Sequence, residues 1–374
     1  MTVRPAAGDR PLLLMTPGPT RVPDRVLAAG ARPMIHHRTP EFSRELGEMI
    51  ELLAPLYGTT NPVLPIHTTG RGALEAAICN LFSAGDEIGI CCNGKFGEMW
   101  AGYAESYGLV VHRLATDWAR SIDPREIATF LDEHPRARGI TFAYGETSTS
   151  VRNDVQALCS LVRDRGSDTL VLVDAVSSLG GMPFEFDAWG VDFAATASQK
   201  CLMSSPGLAF AVLSDRAWAA AARARLPRNY WNFADIRAET TKAKPETPGT
   251  APVHLVLQVA EALRMIHGEG LANVHRRHEA MATRVRNGVA ELGLALQCPA
   301  LEQRSSTVTA IALPAGRDPK VIRDGMKARG ILAAAGMGPY VGSAFRIGHM
   351  GDIRMPDVER ALLALSEVLA ELKK

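Results

Sequence analysis

An aspartate closes the apolar run Thr169-Leu-Val-Leu-Val-Asp174, and a lysine ends the short stretch Ala197-Ser-Gln-Lys200. Taken singly, neither type demands chemistry: an Asp after a strand commonly caps or turns the chain, and most lysines are solvated. Context sets Lys200 apart. It is approached through Val191-Asp-Phe-Ala-Ala-Thr-Ala-Ser198 and followed by Ser204-Ser-Pro-Gly207 and Leu208-Ala-Phe-Ala-Val-Leu213, small and mostly uncharged neighbours. Desolvation there lowers an amine's pKa and fits it to act as nucleophile and base near neutral pH. An amine that can condense with an aldehyde, and a carboxylate that keeps a pyridine nitrogen protonated, are what pyridoxal phosphate needs.

Both groups must be held at strand ends. Apolar runs of strand length at 63–67, 87–92, 110–114, 139–143, 169–174, 193–196 and 208–213 alternate with helical patterns at 72–82, 96–107, 124–133 and 154–165. That alternation predicts an α/β large domain with a mostly parallel seven-stranded sheet covered on both faces. In Ile66-His-Thr-Thr-Gly-Arg-Gly-Ala-Leu-Glu75 a strand runs through small residues into a helix, where free amides and the positive helix end suit a phosphate. A glycine turn of this kind also opens dinucleotide-binding folds, but the Gly-x-Gly-x-x-Gly spacing is missing at Gly70 and Gly72. Cup, Asp174 and Lys200 would all face the carboxyl edge of one sheet, where α/β proteins bind ligands. The pattern weakens over 229–252, read as an excursion between elements. Helices resume at 253–267 and 271–292, and segments 307–313, 319–329, 345–348 and 356–372 make a smaller α+β C-terminal domain. The expected division is an N-terminal arm at 1–16, a large cofactor-binding domain at 17–268 and a small domain at 269–374.

Lysine plus arginine, 41, nearly cancels aspartate plus glutamate, 40, which argues against a nucleic-acid partner. The six cysteines, Cys79, Cys91, Cys92, Cys159, Cys201 and Cys298, show no metal-ligand spacing and fit a reduced, cytoplasmic setting. No apolar stretch has signal-peptide or membrane-span length. His275 and His278, beside Arg276 and Arg277, read as solvated helix surface rather than as metal ligands, and no metal is expected.

The order of Thr16-Pro-Gly-Pro-Thr20, His36-His-Arg-Thr-Pro-Glu-Phe42, Thr69-Gly-Arg-Gly-Ala-Leu-Glu-Ala76, Asn93-Gly-Lys-Phe-Gly97, Gly145-Glu-Thr-Ser-Thr149, Val173-Asp-Ala-Val-Ser-Ser-Leu-Gly-Gly181, Ser198-Gln-Lys200 and Phe345-Arg-Ile-Gly348 spans nearly the whole chain. It resembles the class V aminotransferases of fold type I, specifically the alanine/serine:glyoxylate (serine:pyruvate) group. The resemblance implies Lys200 as Schiff-base lysine and Asp174 as pyridinium partner. It also implies Thr69, Gly70, Arg71 and Gln199 around the phosphate, Phe96 and Val176 on the two ring faces, and Thr147 near the phenolic oxygen or the substrate. Arg346 would take the substrate α-carboxylate with two parallel donors. Thr250 aligns with a threonine that reaches the neighbouring subunit's cofactor, which implies a homodimer with shared active sites. Thr247 stands where relatives often have tyrosine, a departure that puts in doubt a contribution of Thr247 itself to the phosphate cup. His37 and Arg38 fall near the expected entrance.

The implied reaction moves an amino group from a small amino acid, alanine or serine, to a 2-oxo acid, glyoxylate or pyruvate, with ping-pong kinetics. A ureidoglycine donor is an alternative, against which His37 is a hint, since an amide side chain would be expected there. A cysteine desulfurase-like lyase is another. Those relatives usually place histidine before the lysine, where this chain has Gln199, and neither Cys201 nor Cys298 matches their reactive loop cysteine.

Overall fold

A computed structural model of the chain describes residues 12–372. Most of the arm expected at 1–16 lies outside the described residues, as do the last two residues of the charged helix end. Fourteen strands follow in order: β1 Leu13–Met15, β2 Leu64–Ile66, β3 Glu87–Cys92, β4 Val110–Ala115, β5 Gly139–Ala143, β6 Gly145–Glu146, β7 Val151–Arg152, β8 Leu170–Asp174, β9 Phe193–Ala197, β10 Ala209–Leu213, β11 Ala295–Leu296, β12 Val308–Ala312, β13 Ile331–Ala335 and β14 Ala344–Gly348.

Seven of these form one sheet in the order β2-β10-β9-β8-β5-β3-β4, in which only β10 runs antiparallel to its neighbours. Every residue of β5, β8, β9 and β10 is buried, as required of strands covered on both faces. Alternate side chains enter different cores. Val171, Val173, Phe210 and Val212 pack with Leu46, Leu53, Val256 and Leu263 of helices Pro40–Tyr57 and Val253–Glu269. Leu170, Leu172, Ala209 and Ala211 pack with Leu74, Ile78 and Trp100 of helices Gly70–Leu81 and Lys95–Ser106 on the other face. The period of two is what fixes which side each residue joins.

A second sheet, ordered β1-β13-β14-β12-β11, has its own core of Val285, Ile322, Phe345, Ile347 and Leu365 beneath helices Leu271–Glu291, Pro319–Ala328 and Met355–Glu371. β1 joins it in parallel register, Leu13 opposite Ile331, so Leu13–Met15 is built into a sheet otherwise made from residues 295–348.

Two departures from the sequence reading have physical causes. Segment 229–252 contains a helix, Phe233–Thr240, in which Phe233 and Ile236 are the only large apolar residues and are buried, too few to show a period. His278 is fully buried, its Nδ1 2.7 Å from the Val274 carbonyl and its Nε2 accepting the Gly351 N–H at 3.2 Å. Its charged neighbours point elsewhere because a helix turns through about 100° per residue. Among the described residues, no helix is long and apolar enough to cross a membrane.

Candidate active site

Asp174 ends β8 and is 7% exposed; its Oδ1 accepts the Val176 N–H at 2.8 Å. Burial pushes its pKa up to about 7; the Val176 N–H and the Lys200 amine oppose that rise, while the Glu146 carboxylate adds to it. Lys200 sits in the turn that leads from β9 to β10, and burial pushes its amine below the ordinary lysine value, with Asp174 acting in the opposite sense. The two groups therefore share one low-dielectric space.

The Thr16–Thr20 motif fastens this turn. Lys200 Nζ donates to the Pro17 carbonyl, Thr20 N donates to the Gln199 carbonyl at 3.1 Å, and Thr20 Oγ1 donates to the Lys200 carbonyl at 3.1 Å. Gly18 makes the approach possible: it has φ +107°, and a methyl there would lie 2.6 Å from Lys200 Cδ and Nζ.

Helix Gly70–Leu81 begins at the carboxyl end of β2, with Thr69 and Arg71 exposed at its N-terminus. The Thr69 hydroxyl caps no helix N–H. A methyl on Gly70 would stand 2.8 Å from both γ-carbons of Val176, so this helix end abuts the Asp174 turn. Arg71 Nε donates to Tyr103 Oη at 2.6 Å. Tyr103 is close enough to Asp174 for the carboxylate to help raise the phenol's pKa, after burial. One end of the Gln199 amide is buried without a partner. Amide oxygen and nitrogen exchange by a flip, so either a donor or an acceptor stands ready there.

Phe96 lies in the first turn of helix Lys95–Ser106, half-buried, and its N–H donates to Glu146 Oε2 at 3.0 Å. Glu146, fully buried, also accepts the Ser148 N–H at 2.9 Å and hydroxyl at 2.6 Å through Oε1. Burial raises its pKa against the pull of these donors. Thr147 is buried beside it, and its carbonyl accepts Arg346 Nη1 at 3.0 Å. Arg346, on β14 of the second sheet and 9% exposed, also donates Nε to the Ala335 carbonyl at 2.8 Å. Burial lowers its pKa to about 10, with Glu146 opposing, so it stays cationic at neutral pH.

One chain thus gathers Lys200, Asp174, Val176, Gly70, Arg71, Gln199, Thr147, Phe96 and Arg346. Thr250 is not drawn in: it is exposed and lines a separate cavity of about 260 Å³ with His67, Asn229 and Tyr230. Thr247, buried, donates to the Gly249 carbonyl at 2.6 Å, and Arg38 Nη1 holds the same loop through the Thr247 carbonyl and Glu246 Oε2, both at 2.9 Å. His37 is half-buried next to Arg38, its ring 4.5 Å from that of His36. A cleft of about 500 Å³ lined by Tyr144, Asn153, Trp189 and Gln303 includes none of the gathered residues.

Sequence reasoning passed over Glu146, Tyr103 and Pro17 as site residues, although Glu146 and Pro17 lie inside quoted motifs. A carboxylate among small polar residues just after a buried strand was the available signal for Glu146. Tyr103 had none, because its link to Arg71 crosses between helices.

A depressed amine, a strand-end carboxylate, an unpartnered buried amide and a helix N-terminus at the carboxyl edge of a parallel sheet fit a phosphorylated pyridine aldehyde. Fold and site together define an α/β enzyme of amino-group chemistry. Residues 14–347 match the aminotransferase class-V family. The chain is 39% identical to a Synechococcus protein named soluble hydrogenase, small subunit, across 96% of this chain and 93% of that one. It is 33% identical to L-aspartate–glyoxylate aminotransferase of Paracoccus denitrificans, across 96% and 91%. The crystal structure of alanine–glyoxylate aminotransferase from Nostoc sp. superposes with a TM-score of 0.91 at 32% identity, covering 98% of this chain and 97% of that one. The chain belongs to the class V aminotransferases, with the type I fold, and is a transaminase that uses pyridoxal phosphate.

Proposed function

We propose that this enzyme transfers the amino group of a small amino acid, alanine or serine, to glyoxylate or pyruvate. The observation that carries the reading is the meeting of the Lys200 amine, the Asp174 carboxylate and the Arg346 guanidinium in one buried cluster. Bound there, pyridoxal phosphate supplies the electron sink that stabilises a carbanion at the substrate Cα. Lys200 would take the proton from the substrate Cα onto its Nζ, a role its lowered pKa suits. Asp174 keeps the ring nitrogen cationic. Thr69, Gly70, Arg71 and Gln199 would hold its phosphate, Phe96 and Val176 would pack on its ring, and Thr147 would serve the substrate end. Arg346 binds the α-carboxylate; no partner for its Nη2 is found among the described residues, which leaves donors free for a second contact.

The working unit is a homodimer in which Thr250 reaches the partner's phosphate. Its exposure, and that of Tyr230 at 72% in the same cavity, support a covered face there. A cytoplasmic location is supported by six unpaired, buried cysteines. The desulfurase-like alternative requires a reactive thiol, but burial pushes Cys201 up to about 12 and raises Cys298 as well. The hydrogenase name of the Synechococcus relative finds no support in the donor set: no cysteine joins a cluster of metal-ligating residues among the described residues.

The test is a half-reaction panel. L-alanine, L-serine, L-aspartate and ureidoglycine are each mixed with the yellow enzyme while its absorbance is followed, then chased with glyoxylate or pyruvate. Alanine or serine should change the colour fastest. An unchanged spectrum with every donor sinks the reading. Lys200→Ala should stay folded and lose roughly 10³-fold or more in turnover. Borohydride reduction followed by peptide mapping should locate the trapped cofactor at position 200.

A further inference from the structure

At the end of the large sheet away from Asp174 lies a second set of chemical groups. Glu87 opens β3, at the amino edge of the parallel strands, whereas Asp174 closes β8 at the carboxyl edge. Glu87 pairs with Val110 and Gly89 with His112, so Glu87 and His112 point to the same face of adjacent strands. Helix Pro124–Glu133 packs over that face, and His134, which follows its last turn, completes the group. We infer that Glu87, His112 and His134 form a binding site for a divalent cation of the zinc class.

Two observations carry this. One ligand atom from each residue lies within 4.8 Å of the other two. His112 Nε2 and Glu87 Oε2 are already 3.2 Å apart. Bonds of about 2.1 Å in a tetrahedron place ligand atoms roughly 3.4 Å apart, so the His112–Glu87 pair already stands near coordination spacing and His134 has to close in from within 4.8 Å. The two imidazoles are stacked, with centroids 3.8 Å apart and planes 28° from parallel, so an ion that uses the in-plane lone pairs of both must first part the stack.

The set also rests on an apolar floor. Phe130, 4% exposed, lies beneath it, with its ring centroid 5.0 Å from His134 and 6.1 Å from His112. Gly89 makes room for that ring: a methyl at this position would meet Phe130 Cζ at 2.5 Å. All three ligands are half-buried, open enough for an ion to enter. Arg136, 86% exposed, takes Glu87 Oε1 at 2.8 Å and leaves Oε2 for the metal, which would replace the hydrogen bond to His112. Two imidazoles and one carboxylate suit zinc, nickel or copper better than calcium or magnesium. A bound ion would join the edge strand β4 to β3 and to the covering helix, a fastening role remote from the lysine.

The experiment is calorimetric titration of zinc into chelator-treated, cofactor-loaded enzyme in a non-coordinating buffer. One equivalent per chain is expected, with a rise in Tm and no change in the cofactor's absorbance. His112→Gln and His134→Gln should each weaken binding by more than about tenfold, since losing one of three ligands costs more than losing an outer-shell partner. Transaminase turnover should stay the same in both. Arg136→Glu changes an exposed side chain and replaces a positive charge beside the ion with a negative one, so it should tighten binding severalfold. No saturable binding, or binding that none of the three substitutions alters, overturns the assignment.

Discussion

Single residues here carry pKa values that burial has moved, and each shift has a consequence. Asp174 is raised to about 7 chiefly by burial, so without cofactor its folded-state pKa lies above the unfolded value. The native state then holds a proton that the unfolded chain has released. The stability this lends is full below the ordinary aspartate pKa and is lost as pH rises through about 7. Cofactor-free Asp174→Asn escapes that loss, and denaturation at about pH 8 should find it more stable than the native chain by roughly 1 to 3 kcal/mol. Loading both proteins with pyridoxal phosphate should reverse the order, because the cationic ring nitrogen then rewards the carboxylate. Equal pH profiles for the two cofactor-free proteins would show that Asp174 does not titrate in this range. Arg346 makes a different case. Its fork is oriented by the Ala335 and Thr147 carbonyls, and an ammonium cannot meet both while also binding a carboxylate in parallel. Arg346→Lys should raise KM roughly 10- to 100-fold and change kcat little. A fall in kcat at constant KM would move Arg346 from binding to chemistry.

At the scale of elements, buried strands were the most legible feature, and their reason is simple: β3 and β5 are short, mostly apolar runs, and both match their expected limits. Weaker signals failed. β13, Ile331-Leu-Ala-Ala-Ala335, is rich in alanine, which carries little strand preference, and forms because β1 and β14 flank it. The Glu87, His112 and His134 group was invisible to spacing because its members come from two strands and the end of a helix. Site motifs were legible as strings, yet their mechanical roles were not. Thr16–Thr20 could be recognised without knowing that it clamps the lysine turn through Thr20 and Pro17. That clamp makes a prediction. Gly18→Ala places a methyl against Lys200 and forces an alanine into a left-handed conformation, φ +107°. Stability should fall by roughly 1 to 3 kcal/mol. Activity should drop more steeply than unfolding explains, with an altered cofactor absorbance, because the amine itself is displaced. Lost stability with normal specific activity would mean the loop yields and Lys200 does not.

Across the whole molecule, the reactive groups come from separate sheets: Lys200 and Asp174 from the large one, Arg346 from the second, joined where Arg346 meets the Thr147 carbonyl. Proposed dimerisation extends the same division of labour to a second chain. Thr250 is exposed and lies outside the contacts of its own chain's cluster, so the proposed effect is one exerted in trans. Thr250→Glu should fold normally, as exposed substitutions do, while its carboxylate repels a neighbouring phosphate. Dimers of that variant should lose cofactor affinity, and dimers of Lys200→Ala are inactive. Mixed together, the two variants form hybrids in which one site combines both defects and the other combines an intact Lys200 with an intact Thr250. Random pairing makes half the dimers hybrid with one good site each, so activity should recover to about one quarter of the native value. Sedimentation of the mixture should give twice the 40.2 kDa chain mass. A dimer without recovery places Thr250 in the service of its own chain's site, and a monomer at working concentration removes the shared site altogether.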